Sequence, residues 1–166
     1  MYEIVDNFLD EKDFKEITDI IFGDKFPWFN IDCVASPYFG DSGGSLTGGY
    51  MIHMLYDYHQ PHSEFMSPIY IPFSNKDFVK SLVRVKVNLY PNNSVLEEHD
   101  MHIDYDWPHK GAIFSLNTCD GYTKLEDGTK IQTVANRMLF FDSAKPHCST
   151  NTTDARKRVN INFNYF

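Results

Sequence analysis

His102, Asp104 and His147 are the residues in this chain whose types and spacing could hold a metal ion. In a β-strand, residues i and i+2 point to the same face. His102 and Asp104 can therefore aim one imidazole and one carboxylate at a single point. A second imidazole from His147 completes a two-His, one-carboxylate set. That set leaves about three coordination positions open and suits a non-heme Fe(II) that must also hold a co-substrate and oxygen. A lone His-x-Asp is common by chance. Here it is followed by a distant His and then by Arg156-Lys157-Arg158, which leads the final strand. His99 lies three residues before His102, so strand alternation would turn it to the opposite face.

These residues sit in a run of short strand signals. Val83 to Tyr90 alternates, with Val83, Val85, Val87 and Leu89 on one face and Arg84, Lys86 and Asn88 on the other. Further strands are expected at 100–105, 111–117, 122–125, 130–134, 137–141, 145–150 and 158–165. Turns at Pro91-Asn92-Asn93 and Glu126-Asp127-Gly128-Thr129 separate them. Eight short strands with tight turns suggest a double-sheet jelly roll. In the last strand Arg158, Asn160, Asn162 and Asn164 share a face opposite Val159, Ile161, Phe163 and Tyr165. That asparagine row fits a polar, ligand-facing barrel interior or an exposed face.

The first half supplies flanking elements. Strands are expected at 2–8, 26–34 and 49–58. A helix is expected at 11–22, with Asp10 as N-cap, Phe14, Ile17, Ile20 and Ile21 on one face, and Gly23 as its stop. Asn75 is read as the cap of a short helix through about Leu82, with Phe78 and Leu82 inward. Gly40-Asp41-Ser42-Gly43-Gly44 looks like a serine-protease nucleophile segment. Only 41 residues precede Ser42, and the first histidine, His53, follows it, so that reading is rejected. The stretch is read as a loop, with a substrate lid as its functional version. His53, His59 and His62 read as packing or surface residues.

A chain of 166 residues with 42% hydrophobic and 16% aromatic content is read as one globular domain, 1–166, with residues 1–81 flanking a core at 82–166. A net charge of −8 argues against an extended nucleic-acid footprint. No signal peptide and no membrane span are expected. Cys33, Cys119 and Cys148 fit no zinc or disulfide framework, and a reducing cytoplasm is expected.

The segments Tyr90-Pro91, His102-Ile103-Asp104, Asn136 to Phe141, His147 and Lys157 to Phe163 resemble the 2-oxoglutarate- and Fe(II)-dependent dioxygenases. They are most similar to the prolyl-hydroxylase branch and to small stand-alone forms from phages and marine bacteria. The resemblance spans roughly residues 82–166. It implies a mainly β, cupin-like double-stranded β-helix. It also implies Fe(II) held by His102, Asp104 and His147, with 2-oxoglutarate and O2 as co-substrates. Arg158 would grip the far carboxylate of 2-oxoglutarate, with Arg156 as its rival. Tyr90, Asn160 and Ser115 would line the co-substrate pocket, Ser115 standing where relatives often carry tyrosine. The implied substrate is a prolyl residue of a protein or peptide. The alternatives are a free amino acid, small metabolite or modified nucleobase, or a non-catalytic jelly-roll binding or virion-associated protein. Substrate contacts are expected from loops 38–49, 58–72 and 105–110, Trp107 among them. Mn(II) and Ni(II) would compete for the same ligands.

Overall fold

A computed structural model describes residues 1–31, 49–76 and 78–166. The elements run in the order β1 (Glu3–Val5), α1 (Glu11–Phe22), β2 (Phe29–Ile31), β3 (Tyr50–Asp57), β4 (Gln60–Pro61), α2 (Met66–Ser74), β5 (Leu82–Pro91) and β6 (Lys110–Ser115). They continue with β7 (Tyr122–Leu125), β8 (Lys130–Gln132), β9 (Arg137–Phe141), β10 (His147–Ser149) and β11 (Lys157–Tyr165). One large antiparallel sheet has the order β1-β9-β6-β11-β5-β3-β2, with β4 on β3. A small sheet has the order β10-β7-β8. The segment 98–102 flanks β10 on its free side through bridges Glu98↔Thr150 and His102↔His147. From β5 onward, β5, β6, β9 and β11 lie in the large sheet, and the 98–102 segment, β7, β8 and β10 in the small one, the double-stranded β-helix arrangement expected from the sequence.

Alternation decides which side of the large sheet each residue faces. Val85, Val87 and Leu89 of β5, Ala112 and Phe114 of β6, and Val159, Ile161, Phe163 and Tyr165 of β11 join Ile17, Ile21, Ile69 and Phe73 of the two helices in one core. The opposite faces line the space between the sheets. There a smaller apolar cluster, Ile113, Ile131, Leu139 and Phe141, fills one flank.

The first helix forms where its sequence places it. The Asp10 carboxylate accepts from the Asp13 N–H at 2.8 Å, satisfying one of the orphan donors of the first turn. Gly23 ends the helix by close approach, because a Cβ there would lie 2.8 Å from the Asp19 carbonyl oxygen. The second helix differs from expectation. Asn75 terminates α2 and starts nothing. Pro68 stands in the first turn, where its missing N–H is no loss, and Pro72 removes a hydrogen bond two residues before the end. Packing of Met66, Ile69 and Phe73 against the sheet holds a helix that proline-rich local sequence obscures. Phe78 and Leu82 do pack against that core.

The strand expected at 100–105 is reduced to isolated pairs. Glu98 opposes Thr150 and His102 opposes His147, so four steps on one side meet three on the other. The extra residue is a bulge that breaks the ladder. Asn136 takes a left-handed φ of 59° before β9. Its side chain both accepts from and donates to the Leu9 backbone, tying the N-terminal segment to the barrel. The expected loop at 38–49 falls, except Gly49, outside the described residues, as do Ser42, Cys33 and the end of the strand expected at 26–34. Among the described residues no helix is long and apolar enough to cross a membrane.

Candidate metal centre and anion pocket

The pairing of the two metal-spaced histidines starts in the backbone. His102 and His147 exchange N–H···O bonds of 2.9 Å in both directions, which places them directly opposite each other. Their ring centroids lie 4.7 Å apart. Two residues on, the Asp104 N–H donates to the Ser143 carbonyl at 3.1 Å, which brings the carboxylate to the same side. One ligand atom each from His102, Asp104 and His147 falls within 4.8 Å of the others, a group that could hold a metal ion.

The surroundings prepare these groups for that role. His102 Nδ1 lies 3.1 Å from the Asp100 carbonyl and His147 Nδ1 lies 2.9 Å from the Lys145 carbonyl. A carbonyl only accepts, so each Nδ1 donates, and in the neutral imidazole each Nε2 is the atom left with a lone pair. This is the outer support that ligating histidines use. Burial lowers the His147 pKa, with Asp104 opposing, and so favours the neutral imidazole. Burial works to raise the Asp104 pKa, but Arg84, then His147, Asn164 and Lys86, hold it well below the usual carboxylate range. Asp104 accepts from Arg84 at 2.8 Å on one oxygen and from Asn164 at 2.8 Å on the other.

Gly111 makes room here. A Cβ at that position would lie 2.6 Å from the Ser143 Cβ. Ser143 is itself fixed by His109, whose Nε2 lies 2.7 Å from its hydroxyl.

The interior faces of β5 and β11 meet in four rows. Tyr90 opposes Arg158, Asn88 opposes Asn160, Lys86 opposes Asn162, and Arg84 opposes Asn164. The Asp104 end is the Arg84–Asn164 row. Arg158 lies six residues from Asn164, roughly 20 Å along the strand at ~3.4 Å per residue.

Arg158 is only 1% exposed. Its Nε donates to the Thr133 hydroxyl at 2.7 Å. One terminal nitrogen donates to the Thr150 carbonyl at 2.9 Å, the other to the Thr123 hydroxyl at 3.0 Å. The guanidinium carbon sits 5.3 Å from the Tyr90 ring centroid. Among the described residues no carboxylate pairs with it. A guanidinium has five N–H groups. One therefore remains on each terminal nitrogen, the fork that a carboxylate accepts from. A buried charge without a counter-ion is costly, which makes Arg158 a candidate anion ligand. Gly121 gives Arg158 its space, since a Cβ there would lie 2.7 Å from the Arg158 Cδ. Arg156, the rival in sequence, is exposed.

Tyr90 is buried and its ring stacks on Tyr50, centroids 5.4 Å apart, and on His99 at 5.3 Å. Burial raises its pKa, with Arg158 opposing. His99 does not turn away as alternation predicted. The bulge breaks the two-residue rule, and the ring packs beside Tyr90 with Nδ1 2.8 Å from the Ser149 hydroxyl. Burial and then Arg158 push its pKa down to about 4. Ser115 and Asn160 are register partners, both buried. Asn160 accepts from Asn88 at 2.9 Å. Two buried amide oxygens in these rows, on Asn88 and Asn162, have no hydrogen-bond partner.

Sequence reasoning missed the threonine cradle of Arg158, Tyr50, Arg84 and Lys86. It also missed a mouth feature. Tyr58 and His59 join β3 to β4 with φ of 48° and 62°. Such a hairpin turn favours Asn-Gly, so two bulky rings there carry backbone strain. Together with Asp57, Val83, Tyr105, Trp107 and Phe166 they line a groove of about 370 Å³. Trp107 stacks on Tyr105 and on Phe166. Arg84 lies over the Tyr105 ring at 5.1 Å, linking this groove to Asp104.

No family model and no curated protein matches the chain. Solved structures do. A prolyl hydroxylase from Trichoplax adhaerens, in complex with a hypoxia-inducible-factor peptide fragment, aligns with TM-score 0.69 and 16% identity over 99% of this chain and 83% of that one. A viral collagen prolyl hydroxylase from Paramecium bursaria Chlorella virus-1, bound to 2-oxoglutarate, gives 0.58 and 14% over 99% and 96%. The non-heme α-ketoglutarate-dependent epimerase SnoN of nogalamycin biosynthesis gives 0.68 and 14% over 99% and 77%. The chain shares its fold with these Fe(II)/2-oxoglutarate oxygenase structures. Within that fold class the neighbours include prolyl hydroxylases and an epimerase, so the likeness at these identities fixes architecture.

Proposed function

We propose that this chain, as a single domain, is an Fe(II)- and 2-oxoglutarate-dependent dioxygenase that hydroxylates a C–H bond, most simply that of a prolyl residue in a protein or peptide. One observation carries the reading. A metal-ready His102–Asp104–His147 cluster shares a barrel interior with Arg158, a buried cation lacking a carboxylate partner.

His102 and His147 would hold iron through Nε2 and Asp104 through a carboxylate oxygen. Bound iron, with 2-oxoglutarate and O2, supplies the oxidising power that no side chain has. The chain's own groups bind, orient and exclude water. Arg158 would receive the far carboxylate of 2-oxoglutarate on its two remaining N–H groups. Thr123, Thr133 and Thr150 fix the fork, and Tyr90 covers its face. Ser115 and Asn160, buried register partners on β6 and β11, would line the co-substrate side of the interior. The aromatic groove at the mouth supports a peptide substrate, because proline rings and extended proline-rich segments dock on aromatic faces. Two free thiols, Cys119 and Cys148, fit a reducing cytoplasm.

The same chemistry on a small molecule is the second reading. It is favoured by the epimerase SnoN superposing at 0.68, level with the prolyl hydroxylase at 0.69.

Anaerobic addition of Fe(II) and then 2-oxoglutarate tests the cofactor chemistry. A visible charge-transfer band that needs both components and vanishes in His147→Ala is expected. Its absence in folded wild-type protein would sink the oxygenase reading and leave a binding protein. Succinate release stimulated by proline-rich peptides, and lowered in Trp107→Ala, is expected for the peptide substrate. Stimulation by small metabolites alone would move the substrate to the second reading.

A further inference from the structure

A second interior cation has no anionic partner among the described residues. Lys86 projects from β5 into the barrel, in the row opposite Asn162. Asn162 stands 3.5 Å from the Asp104 carboxylate. Its own amide oxygen is one of the two buried acceptors without a partner. No ion pair to Lys86 forms among the described residues, whose interior carboxylate, Asp104, is already taken by Arg84. The Lys86 ammonium reaches only the Tyr50 hydroxyl, at 3.5 Å, and the Tyr50 ring, at 5.7 Å.

The contacts form a continuous chain. Lys86 lies over Tyr50, Tyr50 stacks on Tyr90, and Tyr90 carries Arg158. Two unpaired cations therefore face one interior from opposite ends of a tyrosine pair. Arg158 is at the end remote from Asp104, and Lys86 is beside it. Counting the barrel charges, Arg84 and Asp104 cancel, and Lys86 and Arg158 leave an excess of two positive charges. A ligand with one carboxylate at each end would match that excess in sign.

We propose that Lys86 is a second anion-binding residue, pairing with the metal-side carboxylate of the dicarboxylate whose far carboxylate Arg158 holds. The proposal rests on the 2-oxoglutarate reading above. It makes the pocket a two-ended clamp, in which each carboxylate meets its own protein cation. Burial, and then Arg84, pull the Lys86 pKa down to about 8, with Asp104 and Asp57 opposing. The ammonium is thus poorly compensated while the pocket has no anion, and a bound carboxylate supplies the missing charge.

The test is calorimetric titration of Mn(II)-loaded protein with 2-oxoglutarate, in which no turnover occurs. Wild type, Lys86→Met, Lys86→Arg and Arg158→Met are compared, each checked for folding by its thermal transition. Lys86→Met is expected to raise the dissociation constant about tenfold or more, the scale of one charge-assisted pair. Lys86→Arg, which restores charge, is expected to recover most of it. A merely structural lysine would not be rescued in this way. Should Lys86→Met misfold, Lys86→Gln takes its place in the same comparison. Wild-type binding that is lost in Arg158→Met but unchanged within twofold in Lys86→Met would overturn the Lys86 assignment and leave the oxygenase reading standing. No wild-type binding at all would remove the oxygenase reading itself.

Discussion

The two faces of strands β5 and β11 were built under opposite demands. On the helix side Val85, Val87, Val159, Ile161 and Phe163 are fully buried among apolar neighbours, with no polar atom to satisfy. On the interior side, one residue away each time, stand Arg84, Lys86, Asn88 and Tyr90 against Asn164, Asn162, Asn160 and Arg158. Among the described residues, that face holds two cations paired with no carboxylate and two amide oxygens without donors. Burying apolar surface stabilises, whereas burying unmatched polar groups costs free energy. One face of the same backbone therefore holds the fold, and the other gives up stability to keep polar groups in the interior.

Adjacent residues give the sharpest test. Phe163→Ala is expected to cost about 3–5 kcal/mol, since it deletes a fully buried ring packed on Phe73, Phe78 and Tyr70. Asn162→Ala, next along the chain and also buried, is expected to cost less than about 1 kcal/mol, because it removes an unsatisfied oxygen along with its amide. Chemical denaturation of both variants measures this. Equal losses would erase the distinction between the faces.

Arg158→Met is expected to show the difference through ligand linkage. Wild-type protein at 100 times the dissociation constant of 2-oxoglutarate gains about 2.7 kcal/mol. The variant should gain nothing, so its melting temperature should not respond to the ligand. Gly121→Ala presses on the Asn151 carbonyl oxygen as well as on the Arg158 side chain, and is expected to give an intermediate response on top of a lower melting temperature.

The boundary between the faces also marks what could be read from the sequence. Strand alternation, which is local, revealed both faces of β5 and β11 and the His-x-Asp pair. The α1 cap and stripe were legible for the same reason. What failed was non-local. Thr123, Thr133 and Thr150 reach Arg158 from the small sheet, 35, 25 and 8 residues away, and no spacing rule announces such a cradle. Lys86 and Arg84 were visible as the polar side of a strand, but their lack or possession of an anion partner depends on Asp104, 20 residues from Arg84. The bulge before His102 misdirected His99, because one inserted residue inverts every later alternation. Helix α2 was displaced because Pro68 and Pro72 carry a strong local signal that packing overrides.

A smaller effect follows from Lys86. A lysine lowered from 10.5 to about 8 holds its proton more weakly in the fold than in the unfolded chain. Between those two values the unfolded chain carries more protons, so stability rises with pH across that window. The side chain is half-buried, so solvent screening limits the gain to about 1–2 kcal/mol. Lys86→Met is expected to be more stable than wild type at pH 7 by that amount, and to lose the rise between pH 8 and 10.5. A flat wild-type profile would mean that the ammonium is compensated after all.

The smallest expected effect moves the comparison to the mouth. Tyr58 and His59 hold left-handed backbone in a two-residue turn, where Asn and Gly carry little strain. Replacing the pair by Asn-Gly is expected to stabilise the fold by about 0.5–1 kcal/mol, mostly by relieving that strain. Tyr58 is 81% exposed, so almost no packing is lost in exchange. If the groove binds substrate, the same variant should raise KM while leaving the affinity for 2-oxoglutarate unchanged, because the turn contacts neither Arg158 nor Tyr90. A more stable protein with unaltered KM would show that the two rings are turn residues only. A less stable one would show that the turn is anchored by contacts that outweigh its backbone strain.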